Sequence, residues 1–139
     1  KWLRKKQCKF DCKACSSAAQ GGHLEVLKWL RSKRCPWDTS ACHSAAANGH
    51  LEVLKWLRSQ DPPCPWDYWV CLSACDGGYL DLLEFAVNEG GELIEDACVA
   101  TAMSNGHRDV AEYLAGHIKE NIEKRINRLK NESSVSHAL

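Results

Sequence analysis

The chain has 139 residues, 45% apolar and 26% charged, enough for one globular domain with a core of its own. Eighteen Lys and Arg balance eighteen Asp and Glu, so net charge gives no reason to expect nucleic acid or a membrane surface as partner. No apolar run approaches the ~20 residues of a membrane-spanning helix, so direct membrane insertion is not expected.

The chain opens on Lys1-Trp2-Leu3-Arg4, a quartet that returns as Lys28-Trp29-Leu30-Arg31 and as Lys55-Trp56-Leu57-Arg58, 27 residues further on each time. Residues 1–7 therefore read as the tail of a repeat that starts upstream, as in the C-terminal part of a larger array. Four more repeats follow, over 8–34, 35–63, 64–91 and 92–115. The second carries a two-residue insertion around Asp61-Pro62-Pro63. The columns align across them: Cys15, Cys42, Cys71 and Val99; Ala18, Ala45, Ala74 and Ala102; Phe10, Trp37, Trp66 and Ile94; Asp11, Asp38, Asp67 and Glu95. A fixed period of this length with atypical ends is the signature of a solenoid, in which each repeat buries its apolar face against the next.

Each repeat reads as helix, tight turn, helix. In the second complete one, Asp38, Thr39 and Ser40 are N-cap residues. The small-residue run Ala41 to Ala47 follows, and alanine suits a helix that something approaches closely. Asn48-Gly49 then breaks the helix, since both tolerate positive φ. Leu51, Leu54 and Leu57, with Val53 and Trp56 beside them, give the second helix two apolar flanks. Cys-Pro stops it. Trp29, Trp56, Leu54, Leu57, Cys42 and Cys71 are the expected repeat core, with both tryptophans between stacked second helices. In residues 116–131, Ile118, Ile122, Ile126 and Leu129 make one stripe among charges, expected as a separate C-terminal capping helix over the end of the stack. Residues 132–139 are polar and expected to fray.

The stretch SACHSAAANGHLEVLKWL, residues 40–57, resembles an ankyrin repeat: Ser40, Ala41, Cys42, His43, Ser44, Ala45, Ala46, Gly49 and His50 meet its Thr-Pro-Leu-His-x-Ala-Ala-x-x-Gly-His motif. The period of 27–29 is shorter than the family's 33, and a Cys-Pro-Trp-Asp turn stands where longer ankyrins project a hairpin finger. The resemblance implies an all-α, helical-repeat solenoid of stacked helix-turn-helix units. It also implies a structural, turn-bonding role for His43, no catalysis, no cofactor, and protein binding through a concave face made by the first helices.

Nine cysteines invite a zinc reading, but Cys8/Cys35/Cys64 and Cys15/Cys42/Cys71 occupy only two repeat-equivalent slots. Free Cys is a small, readily buried hydrophobe, and Cys8-x3-Cys12-x2-Cys15 lacks a well-spaced second ligand pair. Neighbouring repeats about 10 Å apart are too distant for a disulfide, which needs α-carbons within about 7 Å. Unpaired structural thiols, no metal, and a reducing intracellular compartment such as the cytoplasm are expected. Cys42 and His43 are adjacent on a helix, point about 100° apart and make no nucleophile–base pair.

Charge is uneven: residues 1–34 carry a net +8 and residues 61–112 a net −10. Among first-helix positions that vary between repeats, only the third repeat presents Tyr68, Trp69 and Leu72 together. With His43 and Asp76 they form the expected partner-binding surface, since aromatic anchors carry much of an interface's energy. The expected function is a scaffold or adaptor that binds a protein, within a larger chain or complex. The alternative is a structural subunit built permanently into a large assembly.

Overall fold

The computed structural model describes residues 11–138, with side chains described through residue 134; Trp2, Cys8, Phe10 and the expected partial repeat over 1–7 lie outside the described residues. Eight helices and no strand occur among those described. They are α1 (Cys12–Gln20), α2 (Leu24–Ser32), α3 (Thr39–Ala47), α4 (Leu51–Ser59), α5 (Trp69–Gly77), α6 (Leu80–Asn88), α7 (Glu95–Ser104) and α8 (Arg108–Ala138). Odd-numbered helices are the first of each pair. They stack as one row, α1 on α3, α3 on α5 and α5 on α7, and each also contacts the helix that follows it.

The alanine column explains the row. Ala18, Ala45, Ala74 and Ala102 are all buried, and with Cys15, Cys42, Cys71, Cys75 and Cys98 they leave little side-chain volume between first helices. Larger side chains fill the layer beneath: Leu27, Leu54, Leu57, Leu82, Leu83, Val110 and Leu114 are fully enclosed.

Each turn repeats one hydrogen bond. The amide after the turn glycine donates back to an alanine carbonyl: His23 to Ala18, His50 to Ala45, Tyr79 to Ala74 and His107 to Ala102, at 2.8–2.9 Å. This is the six-to-one closure of a left-handed helix C-terminus, with Gly49 at φ 72° and Gly78 at φ 73°. From α4 onward, the aromatic ring that starts each second helix lies over the glycine of the preceding repeat. A Cβ built on Gly49 would stand 2.7 Å from the Tyr79 ring, and one on Gly78 2.5 Å from His107. His50 Nε2 also meets the Gln20 carbonyl at 2.9 Å, and His107 Nε2 meets that of Asp76 at 3.0 Å. These rings tie one repeat to the next.

Between pairs, the Cys-Pro-Trp-Asp turn is a clamp. Arg31 donates to the Cys35 carbonyl at 2.6 Å and lies 3.7 Å from the centroid of the Trp37 ring. Arg58 repeats this, 2.7 Å from the Cys64 carbonyl and 4.0 Å from Trp66. The two extra residues of the second turn are absorbed before Cys64, whose amide still reaches the Leu57 carbonyl at 3.0 Å. The aspartate then opens the next helix: Asp11, Asp38 and Asp67 accept from the amides of Lys13, Ser40 and Trp69 at 2.9–3.0 Å.

Four expectations need correction. Trp29 is 52% exposed, not buried. The second helix turns Leu27 and Leu30 inward, and at 100° per residue Trp29 is rotated well away from both. Trp56 is half-buried, edge-on to Trp37 with ring centroids 6.0 Å apart. The helix expected over 116–131 is not a separate cap: α8 is one continuous helix of 31 residues that begins as the second helix of the last pair and runs through the expected polar tail. Nothing between Arg108 and Ala138 breaks it, since Gly116 has open space around it and no proline occurs there. Its stripe does not fold over the stack, and Ile122, Ile126 and Leu129 are 49%, 46% and 64% exposed. Finally, Cys35 is disulfide-bonded, so the expectation of unpaired thiols throughout fails at that position.

Candidate interaction surface

The first helices present one concerted set of side chains to solvent. His43 and Ala47 of α3, Trp69, Leu72, Ser73 and Asp76 of α5, and Thr101 of α7 line an open groove of about 370 Å3. Register explains the convergence. Ala45, Ala74 and Ala102 face inward, so His43, Leu72 and Thr101, each one or two residues before them, come to the outer side in successive helices. The groove thus crosses three repeats, with α5 at its centre.

Its chemistry is aromatic and acidic. His43 stacks on Trp69 with centroids 5.7 Å apart and planes 24° apart. Tyr68, at the start of α5, lies 5.0 Å from Trp69 at 32°. Trp69 is 42% exposed, a large apolar surface left open to water. At the other end Asp76 accepts from Asn105 Nδ2 at 2.9 Å through Oδ1, which fixes the carboxylate across the α5–α7 junction. The groove therefore brings together His43, Trp69, Leu72 and Asp76, with Tyr68 stacked beside them. His43 makes no hydrogen bond in the turn among the described residues, unlike the role implied for it. That bonding is done by His50 and His107.

The core residues Leu54, Leu57, Cys42 and Cys71 lie elsewhere, fully enclosed. Burial pushes the Cys71 thiol up to about 12, and hydrogen bonding to Cys64, then burial, raises Cys42. Such thiols stay protonated and inert. Cys42 and Cys64 donate to the carbonyls of Cys64 and Asp38 at 3.8 and 3.4 Å. No cluster of three or more metal-binding side chains occurs among the described residues. None of their helices is long and apolar enough to cross a membrane.

Sequence reasoning missed two things here. The arginines of the clamp carried a signal, since Arg31 and Arg58 are repeat-equivalent and sit a fixed number of residues before Trp-Asp, apart from the insertion. The contributions of Ser73, Ala47 and Thr101 carried none, because small residues look alike whether they line a groove or face bulk water.

A family model described as ankyrin repeats (many copies) matches residues 6–58. The same glycine turn, ring-on-glycine contact and stacked first helices continue beyond that span, through Gly78 and His107. Over residues 6–58 the chain is similar to ankyrin repeats. No curated protein matches it. Ankyrin repeats are in general protein–protein interaction modules and typically non-enzymatic scaffolds, and they imply protein partners.

Proposed function

We propose that this chain binds a partner protein on its first-helix face, with the groove of His43, Tyr68, Trp69, Leu72 and Asp76 as the centre of contact. One observation carries the proposal: a tryptophan 42% exposed in a groove that three successive helices build. An aromatic side chain held at low entropy cost beside a fixed carboxylate is the composition of an interface anchor. The chemistry of catalysis is not at hand in the groove, whose one histidine is stacked on a ring and whose one carboxylate is tied to an amide.

The test replaces Tyr68 and Trp69 together with Ser and measures both melting and capture of a co-purifying partner. Capture should fall at least tenfold, as for a central aromatic anchor, while the melting temperature moves little. A stability loss of several kcal/mol with capture retained would make these residues core and put the contact surface elsewhere.

A second reading, a structural subunit built permanently into an assembly, draws on a different feature. The stripe Ile122, Ile126 and Leu129 is an apolar face that is 49%, 46% and 64% exposed among the described residues. Release from native material at moderate salt would favour the recruiting module; release only under denaturing conditions would favour the built-in subunit.

A further inference from the structure

We propose that the segment occupying this groove is a cationic, aliphatic stretch of the partner, a Lys or Arg close to a Leu, Ile or Val; this rests on the groove being the contact site. Charge complementarity carries it. The groove is lined by one carboxylate and by no Lys or Arg. It is centred in the part of the chain, residues 61–112, where eleven Asp and Glu face a single Arg. In a solenoid, sequence order is spatial order, so the groove sits in the acidic part of the stack.

The local geometry divides the task between two parts of the ligand. Asp76 Oδ1 and the Asp76 carbonyl are both engaged by Asn105, at 2.9 and 3.3 Å, so the carboxylate is held in place. No hydrogen bond among the described residues reaches its Oδ2, which remains an acceptor for a guanidinium or ammonium group. The rings of Trp69 and Tyr68 add π-faces that attract a cation. Leu72 and Ala47 offer only apolar surface between them, which suits an aliphatic side chain and gives nothing to an anion. An acidic segment would meet repulsion from Asp76 and from the acidic part of the stack, so the groove discriminates by sign as well as by shape.

The experiment uses the full chain and three fluorescently labelled twelve-residue peptides: one alternating Leu and Arg, one with Glu for Arg, and one with Ser for Leu. Binding is followed by anisotropy at 50 and 300 mM salt. The Leu–Arg peptide should bind about tenfold or more tighter than either of the others, and its affinity should fall with salt. Asp76→Asn, which keeps the Asn105 contact, should weaken it about five- to tenfold and flatten the salt dependence. Glu52→Gln on α4, away from the groove, should change nothing. Binding of the Glu peptide as tightly as the Leu–Arg peptide would overturn the inference. If that binding were lost in Trp69→Ser, the groove would stand and only the partner's charge would be wrong. If the Leu–Arg peptide bound no differently to Trp69→Ser and Asp76→Asn, with melting unchanged, the groove itself would fall.

Discussion

Replacing Arg58 with Met removes the clamp at the second Cys-Pro-Trp-Asp turn while preserving most of the aliphatic stem. Two contacts go: the 2.7 Å hydrogen bond to the Cys64 carbonyl and the guanidinium 4.0 Å over Trp66. A hydrogen bond to a charged group contributes about 1.5–3 kcal/mol, and a partly desolvated cation–π contact about 0.5–2 kcal/mol. Against them stands the Nε of Arg58, buried without a partner, whose removal relieves a desolvation cost of about 1–3 kcal/mol. The balance is a net loss of about 2 kcal/mol, a sizeable share of a domain's stability of roughly 5–15 kcal/mol. Urea unfolding followed by tryptophan fluorescence and circular dichroism reads it, provided the slope with denaturant stays constant. Arg58→Lys keeps the charge but not the planar fork, and should lose about half as much. A double substitution with Trp66→Leu should show coupling of at least about 0.5 kcal/mol. If Arg58→Met is as stable as the parent to within about 0.5 kcal/mol, the clamp contributes nothing and the turn is held by Cys64 and Asp67 alone.

The two equivalent tryptophans should part company: Trp56→Ala, half-buried against Trp37, should cost about 2–3 kcal/mol by melting, and Trp29→Ala under about 1 kcal/mol. Equal losses would mean that burial does not separate them. Gly49→Ala should destabilise by about 2 kcal/mol or more, through its φ of 72° and the Tyr79 ring, and Gly106→Ala, at φ 74° with nothing within 4 Å, by only about 1 kcal/mol. A Gly106 variant worse than the Gly49 variant would remove the ring-on-glycine argument. The hydroxyl and then the amide of Ser40 hold the Asp38 carboxyl below its ordinary range. Its cap therefore stabilises fully above about pH 4 and is lost as pH falls through the lower folded value. The melting advantage of the parent over Asp38→Asn should shrink between pH 6 and pH 2.5, and a constant gap would show that the cap does not titrate.

The period of 27 made the helix pairs legible, because the glycine turn and the alanine column recur at fixed offsets and each has one physical use. What fixed offsets cannot tell is where a side chain goes once its helix has rotated. Trp29 and Trp56 have identical neighbours in sequence, LEVLKWLRS, yet one is open and the other half-covered, because cover comes from a ring in another turn. The end of the stack shows a related limit. An amphipathic stripe at Ile118, Ile122, Ile126 and Leu129 records that a helix has an apolar side, and leaves open whether this chain supplies the other half. Tyr68, Trp69 and Leu72 stood out in the sequence because they broke their columns. Their meeting with His43 and Asp76 in one groove needed the third dimension, in which α3 and α5 lie side by side.

The central claim is that the row of first helices is the face a partner covers. Hydrogen–deuterium exchange of the full chain with and without its captured partner tests it most directly. Added protection should fall on residues 39–47, 69–77 and 95–104, strongest around Trp69, with α2, α4 and α6 unchanged. Protection concentrated on the second helices, or confined to residues 118–134 of α8 with the first helices as before, would contradict it.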